Sequence, residues 1–335
     1  MSAPVAQRAP LIAFDDVSLV YGGKVRALDG VSFAIERGEI VGLVGESGSG
    51  KTTLCRVLMG LLPASLGRVT IAGEPLAVRL ARDPLGFRRQ AQMLKQEAVA
   101  SLSPRMRIRA LAEEPLKIHG MPMVEGRARL LRILKRLGLP EATLDKFPHQ
   151  VSGGQARRVA ILRALVLEPQ IIVADEPTAG LDVSVQGDLL NLMRDLHEEF
   201  ALTYLVVSHN LNVVRRLTGR TIVMYLGQIV EEAPTRALFE APAHPYAAAL
   251  LSTNPSVDPA RRRERIILKG EIPSPINPPS GCRFHTRCPQ VAERCKIEMP
   301  ELRELGTGRR VRCHFPLTEA AGAGRLQMCS PSDPI

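Results

Sequence analysis

A chain of 335 residues exceeds one small domain and predicts two, or one large domain with an appendage. With 45% hydrophobic residues it can bury a substantial core, while 4% aromatics and no Trp leave little for a base-stacking platform. Lys and Arg number 44 against 34 Asp and Glu, a net charge of +10 that admits nucleic acid, an anionic membrane face or a merely solvated basic surface. Along the chain, no apolar run approaches the roughly 20 residues that span a bilayer. The start, Met1 to Arg8, has no apolar signal core, so a cytoplasmic chain is expected, where disulfides are rare.

Residues 11–20 and Ala27 to Ile35 alternate as strands of an antiparallel sheet, with Gly22-Gly23 as the turn. Tyr21 stands just after the first strand; its side chain either packs on the core or stacks on a base. Next comes the apolar strand Ile40-Val41-Gly42-Leu43-Val44, then Gly45-Glu46-Ser47-Gly48-Ser49-Gly50-Lys51-Thr52-Thr53, then a helical stretch from Leu54. Strand, glycine loop and helix are what a phosphate needs. Glycines let successive N–H groups converge on phosphate oxygens, and the helix start adds its dipole. Lys51 would reach the β- and γ-phosphates, and the Thr52 hydroxyl would ligate Mg2+. Gly60 and Pro63 stop that helix, and Val69 to Ile71 begins another strand.

From Ala91 to Leu167 the apolar spacing becomes helical, with Leu130, Ile133, Leu134 and Leu137 on one face and Gly138 and Pro140 as a stop. Val151-Ser152-Gly153-Gly154-Gln155 opens a basic helix carrying Arg157, Arg158 and Arg163; it reads as an ordinary N-cap or as a second anion-binding helix start. The strand Ile171 to Ala174 ends in Asp175-Glu176. In a chain with a phosphate loop, Asp175 would hold magnesium and Glu176 would orient and deprotonate the attacking water. Another buried strand, Thr203 to Val207, ends in Ser208-His209, from which His209 could donate to a γ-phosphate or serve structurally.

Beyond Glu240 the composition shifts. Ala241 to Tyr246 opens a short helical patch; the basic run Arg261 to Arg265 and the stretch holding Pro273, Pro275, Pro278 and Pro279 read as linker and irregular structure. Cys282, Cys288, Cys295 and Cys313 are separated by five, six and seventeen residues, wider than the knuckles of zinc sites. Four thiolates in a loop-rich segment suit an iron–sulfur cluster, with zinc or free thiols as alternatives and His285 and His314 as further candidate ligands. Cys55 reads as core and Cys329 as a tail thiol.

Taken in order, Gly45 to Thr52, Ser152-Gly153-Gly154-Gln155, Asp175-Glu176, Ala179-Gly180-Leu181-Asp182 and His209 resemble the motifs of ATP-binding cassette transporter ATPases from about Leu11 to Glu240. The segments Ala100 to Met106, Gly180 to Gln186, His244-Pro245-Tyr246 and Pro279 to Phe284 resemble the oligopeptide, dipeptide and nickel importer branch. The resemblance implies an α/β P-loop nucleotide-binding domain with a RecA-like core, an antiparallel β subdomain and a helical subdomain over about 91–167. It places this domain at 1–240 and a small loop-rich cysteine-bearing extension at 241–316; the small and polar residues of 317–335, without periodicity, predict a flexible tail. By the same resemblance, Tyr21 stacks on adenine, Gly45, Ser47, Gly48, Gly50, Lys51, Thr52 and Thr53 hold ATP, and Gln96 contacts magnesium and senses the membrane partner. Ser152 to Gln155, with Asp182, would close over ATP held by a second, different ATPase subunit. Two permeases and an extracytoplasmic solute-binding protein complete the expected importer, peripheral on the cytoplasmic face of the inner membrane, with no nucleic acid. Relatives also imply a 4Fe–4S cluster. Lys95-Gln96-Glu97-Ala98 departs from the family's Phe-Gln-Asp-Pro, and Val151 replaces a usual Leu, which bears on the permease contacted rather than on hydrolysis. The competing readings are a cassette ATPase acting on nucleic acid or ribosomes and a degenerate regulatory subunit.

Overall fold

The expected alternation at the N-terminus holds in the computed structural model of the chain, which describes residues 9–95, 100–253, 266–306 and 308–317. In the strand Ile12–Tyr21, Ile12, Phe14, Val17 and Leu19 are buried while Asp15 and Asp16 face solvent. It runs antiparallel to both Val25–Ile35 and Leu66–Ile71. Phe14 stands opposite Phe33, and their rings stack with centroids 4.7 Å apart. Gly22 and Gly23, at φ +54° and +68°, supply the left-handed conformation in the three-residue connection Gly22-Gly23-Lys24, where the Lys24 N–H donates to the Tyr21 carbonyl at 3.0 Å.

Contacts divide the chain into two units, one of residues up to 35, 40–73 and from 208 on, the other of 36–39 and 74–207. In the first unit Ile40–Val44 runs parallel to Arg220–Tyr225, which pairs antiparallel with Gln228–Pro234. The two-residue strands Arg310–Val311 and Arg303–Glu304 then extend that edge. The C-terminal extension thus joins the sheet that carries the phosphate loop. Its helix Pro245–Ser252 packs with Phe284 on a core containing Val44, Val223 and Tyr225. Ring centroids of Tyr225, Tyr246 and Phe284 lie 4.7 to 5.4 Å apart in tilted and edge-on contacts. The proline-rich stretch is irregular, as expected, and the Pro275 carbonyl accepts the Arg26 N–H at 3.1 Å. Arg261 to Arg265 lie outside the described residues, as do Cys329 and the tail from 318 on.

Two neighbouring carboxylates fasten this extension. Glu231 has no exposed surface and accepts the N–H groups of Ala243 at 2.9 Å and His244 at 2.7 Å, with Arg309 at 3.8 Å. Glu232 pairs with Arg220 and Arg310, and Arg310 also donates to the Ser32 carbonyl at 3.1 Å.

The second unit holds three parallel strands, Ala91–Leu94, Ile171–Asp175 and Thr203–Val207. Ile171 to Ala174 and Thr203 to Val207 are buried at every position, the pattern of strands covered on both faces. Helical structure is expected from Ala91, and here the structure differs: Ala91–Leu94 pairs with Ile171 to Ala174 instead. Four residues are too few to show a period, and this pairing depends on a partner some eighty positions away. The helices Ile108–Ile118 and Met123–Arg136 follow, and Leu130, Ile133, Leu134 and Leu137 are buried as their spacing requires. No helix among the described residues is long and apolar enough to cross a membrane.

Burial raises the Glu231 carboxyl from its ordinary 4.5 to about 7, against the lowering pull of the two N–H groups and Arg309. Because the folded chain then holds this proton more tightly than the unfolded one, stability contributed by Glu231 falls as pH rises from 4.5 through 7. Thermal melts across that window should show a shallower fall in Tm for Glu231→Gln than for the parent; parallel curves would contradict the assignment.

Candidate functional site

The phosphate loop leaves Ile40–Val44 and enters the helix Lys51–Leu58 through backbone that only glycine permits at two points. Gly45 has φ +153°, and a Cβ there would lie 2.3 Å from the Met224 carbonyl oxygen. Gly50 has φ +104°, and its Cβ would meet the Ala27 carbonyl oxygen at 2.5 Å. Close backbone approach therefore dictates both residues. Gly48, at φ +79°, faces open space at the exposed loop tip beside Ser47.

Lys51 folds back over the loop, its Nζ donating to the carbonyls of Gly45 and Glu46 at 2.8 Å each and to Ser49 Oγ at 3.1 Å. The first helical turn carries no acidic residue, so the dipole there stays electropositive. Thr52 is exposed, and Thr53 Oγ1 lies 3.3 Å from the half-buried Tyr21 hydroxyl. Ser208 N–H donates to the Leu43 carbonyl at 3.3 Å, which ties the backbone before His209 to the loop's own strand. His209 itself is exposed and precedes the helix Leu211–Leu217, capped by Asn210.

In the second unit, Asp175 ends its strand and Glu176 follows at φ +51°. A left-handed glutamate costs on the order of 1–3 kcal/mol and persists only where its surroundings fix it. Glu176 N–H donates to the Val207 carbonyl at 2.9 Å, and Arg157 donates to the carbonyls of Pro177 at 2.6 Å and Ala179 at 3.0 Å. Burial lowers the pKa of Arg157, whose guanidinium replaces lost water with these carbonyls. The sequence marks Arg157 only as part of a basic helix; its sole signal is an arginine on the face that also carries Ile161 and Ala164, four and seven residues on and both buried.

That helix, Gly153–Leu165, begins with a reciprocal cap: Gln155 N–H donates to Ser152 Oγ at 3.2 Å, and Ser152 N–H to Gln155 Oε1 at 3.1 Å. A Cβ at Gly153 would meet nothing within 4 Å, and one at Gly154 only Val185 at 3.8 Å. Neither has positive φ, so the fold of this chain does not require glycine at either place. Asp182 is exposed at the start of Val183–Phe200. Gln96 lies outside the described residues.

Cys282, Cys288, Cys295 and Cys313 line one recess beside His244 and Phe284. Burial pushes Cys288 up to about 11, Cys313 up to about 12, and Cys282 upward as well. The candidate ligands His285 and His314 line the same recess, and one ring nitrogen of each contacts a carbonyl, that of Cys282 at 3.0 Å and that of Glu298 at 2.9 Å. Among the described residues no group of three or more His, Cys, Asp or Glu is arranged to hold a metal ion. Cys55 is buried in its helix, as expected of a core residue.

Comparison with known proteins agrees with this arrangement. The ABC transporter family model matches residues 28–179, and the model of the oligopeptide/dipeptide transporter C-terminal region matches 230–295. The chain is 45% identical over 318 residues to YkfD of Bacillus subtilis, a candidate oligopeptide transport ATP-binding protein, covering 92% of this chain and 96% of that one. It is 44% identical to the di/tripeptide transport ATP-binding protein DppF of Pseudomonas aeruginosa, over 87% of this chain and 90% of that one. Among solved structures, the dimeric bacterial ABC transporter cassette MJ0796 is 33% identical with a TM-score of 0.60, over 67% of this chain and 99% of that one. The chain belongs to the ATP-hydrolysing subunits of ATP-binding cassette transporters, in the oligopeptide and dipeptide importer family.

Proposed function

We propose that this ATPase powers uptake of peptides, or of a chemically similar small solute, through partner permeases. The observation that carries the reading is the match of residues 230–295 to the oligopeptide/dipeptide C-terminal region, in a unit that also holds the phosphate loop. In this reading Tyr21 stacks on adenine, while the amides from Gly45 to Thr53 and the Lys51 ammonium hold the phosphates. The Thr52 hydroxyl, Asp175 and Gln96 offer the hard oxygen donors that would hold magnesium, which would supply charge neutralisation at the phosphates. Glu176 takes the proton of the attacking water, and His209 donates to the γ-phosphate.

A second ATPase subunit, a different chain, contributes its own copy of the Ser152–Gln155 helix start, and Asp182 lies at that shared face. Two permeases and an extracytoplasmic solute-binding protein complete the assembly, with this chain peripheral on the cytoplasmic side of the inner membrane. The cassette corresponds to 1–240, with a helical subdomain that begins only after the strand Ala91–Leu94 and runs to about 167, and the extension to 241–316. Nucleic acid is not the favoured partner: Arg283, Arg287, Arg309 and Arg310 meet carboxylates within the chain.

Glu176→Gln in the assembled importer should bind ATP and abolish turnover; full hydrolysis by that variant would remove Glu176 as the base. Gly153→Ala should fold at parental stability or up to about 1 kcal/mol better, as helix propensity suggests. In the assembled importer it should nonetheless lose most of its ATPase rate, read by melting and phosphate release on one preparation.

The four cysteines are read as ligands of a 4Fe–4S cluster, which would cross-link a loop-rich segment too small to hold itself. Support comes from the recess that the four thiols share. An anaerobic preparation should be brown, with iron and sulfide in cluster stoichiometry; zinc alone would sink the reading.

A further inference from the structure

Two side chains of the C-terminal extension reach into the phosphate loop at Glu46. Arg287 spans the carboxylate with both terminal nitrogens, Nη1 to Oε2 at 2.7 Å and Nη2 to Oε1 at 3.1 Å. The Tyr246 hydroxyl accepts the Glu46 N–H at 2.8 Å, and the Glu46 carbonyl accepts from Lys51. Every polar group of Glu46 is therefore engaged, two of the three by the extension.

This is no ordinary surface ion pair. The Arg287 side chain is only 8% exposed, and a forked guanidinium–carboxylate contact shielded from water is stronger than an exposed one. Arg287 is itself steadied, with its guanidinium carbon 5.9 Å from the Tyr225 ring centroid and Nη1 3.5 Å from the Tyr225 hydroxyl. Tyr225 and Tyr246 in turn belong to the aromatic cluster with Phe284, against which Cys282 and Cys288 pack. A second arginine of the same segment, Arg283, bonds Asp29 at 2.8 Å, in the strand whose Ala27 carbonyl closes on Gly50.

We propose that Arg287 and Tyr246 are positioning residues of the nucleotide site, holding Glu46 so that the loop amides stay in their phosphate-accepting arrangement. Neither side chain meets the reacting atoms; both act through Glu46. The proposal rests on Gly45 to Thr53 binding ATP. An interaction of this kind supports bound substrate and transition state alike, so its loss appears in affinity rather than in turnover.

The test uses the full chain, with MgATP affinity measured by displacement of a fluorescent analogue, and KM and kcat measured in the assembled importer. Arg287→Met should weaken MgATP binding and raise KM by about tenfold, the scale of a lost charge-assisted contact, with kcat falling less than about twofold. Arg287→Lys should recover part of the affinity. Tyr246→Phe keeps the ring in its cluster and should still cost about threefold. In a Glu46→Ala background, Arg287→Met should add little, because its route to the loop is already cut. Parental affinity in both Arg287→Met and Tyr246→Phe, or fully additive losses in the double variant, would overturn the proposal. Should Arg287→Met fail to fold, Tyr246→Phe decides alone. A parent chain that binds no ATP would instead refute the phosphate-loop reading itself.

Discussion

A carboxylate with no exposed surface imposes the strongest constraint on this chain. Glu231 lies in the strand Gln228–Pro234, and leaving it there without partners would cost several kcal/mol. The chain meets that demand with the turn at Ala243-His244 and with Arg309. Satisfying Glu231 therefore determines where the extension begins. Two residues beyond His244 comes Tyr246, whose hydroxyl is thereby delivered to Glu46 in the phosphate loop. One buried acid in the cassette sheet thus sets the register of contacts between the extension and the nucleotide-binding loop.

The same logic reinterprets the charge. A net +10 read along the sequence admits a basic surface awaiting an anion as readily as one that is merely solvated. Among the described residues, several arginines of the C-terminal segment are turned inward. Arg283 meets Asp29, Arg287 meets Glu46, Arg310 meets Glu232, and Arg312 donates to the carbonyls of Ile229 and Pro300. Arginine suits this work because its planar fork engages two acceptors at once and stays charged when partly desolvated. These residues behave as fasteners between segments rather than as an electrostatic footprint.

Legibility follows the range of the interaction. The phosphate loop can be read because strand, glycines and helix are contiguous, and backbone approach at Gly45 and Gly50 explains the two glycines it cannot spare. Ser152 as a cap and the buried strands at 171 and 203 are visible for the same local reason. What escapes is pairing at a distance. Ala91–Leu94 has no period of its own, Arg157 acts on carbonyls some twenty residues on, and Arg287 meets a carboxylate 241 positions away. Tyr246 stands out as a mark of the importer branch, yet no sequence pattern reveals that its hydroxyl holds the backbone of the phosphate loop.

The two short strands at the C-terminus have a further effect. Gln228–Pro234 would otherwise end its sheet with unpaired backbone groups beside Ile229 and Val230, the kind of apolar edge that recruits another chain. Arg310–Val311 occupies part of that edge, and Arg303–Glu304, short and exposed, becomes the new border. The extension therefore also guards solubility: a cassette cut short at residue 240 would present an open, sticky sheet margin, with Glu231 stripped of Arg309 and Glu232 left with Arg220 alone.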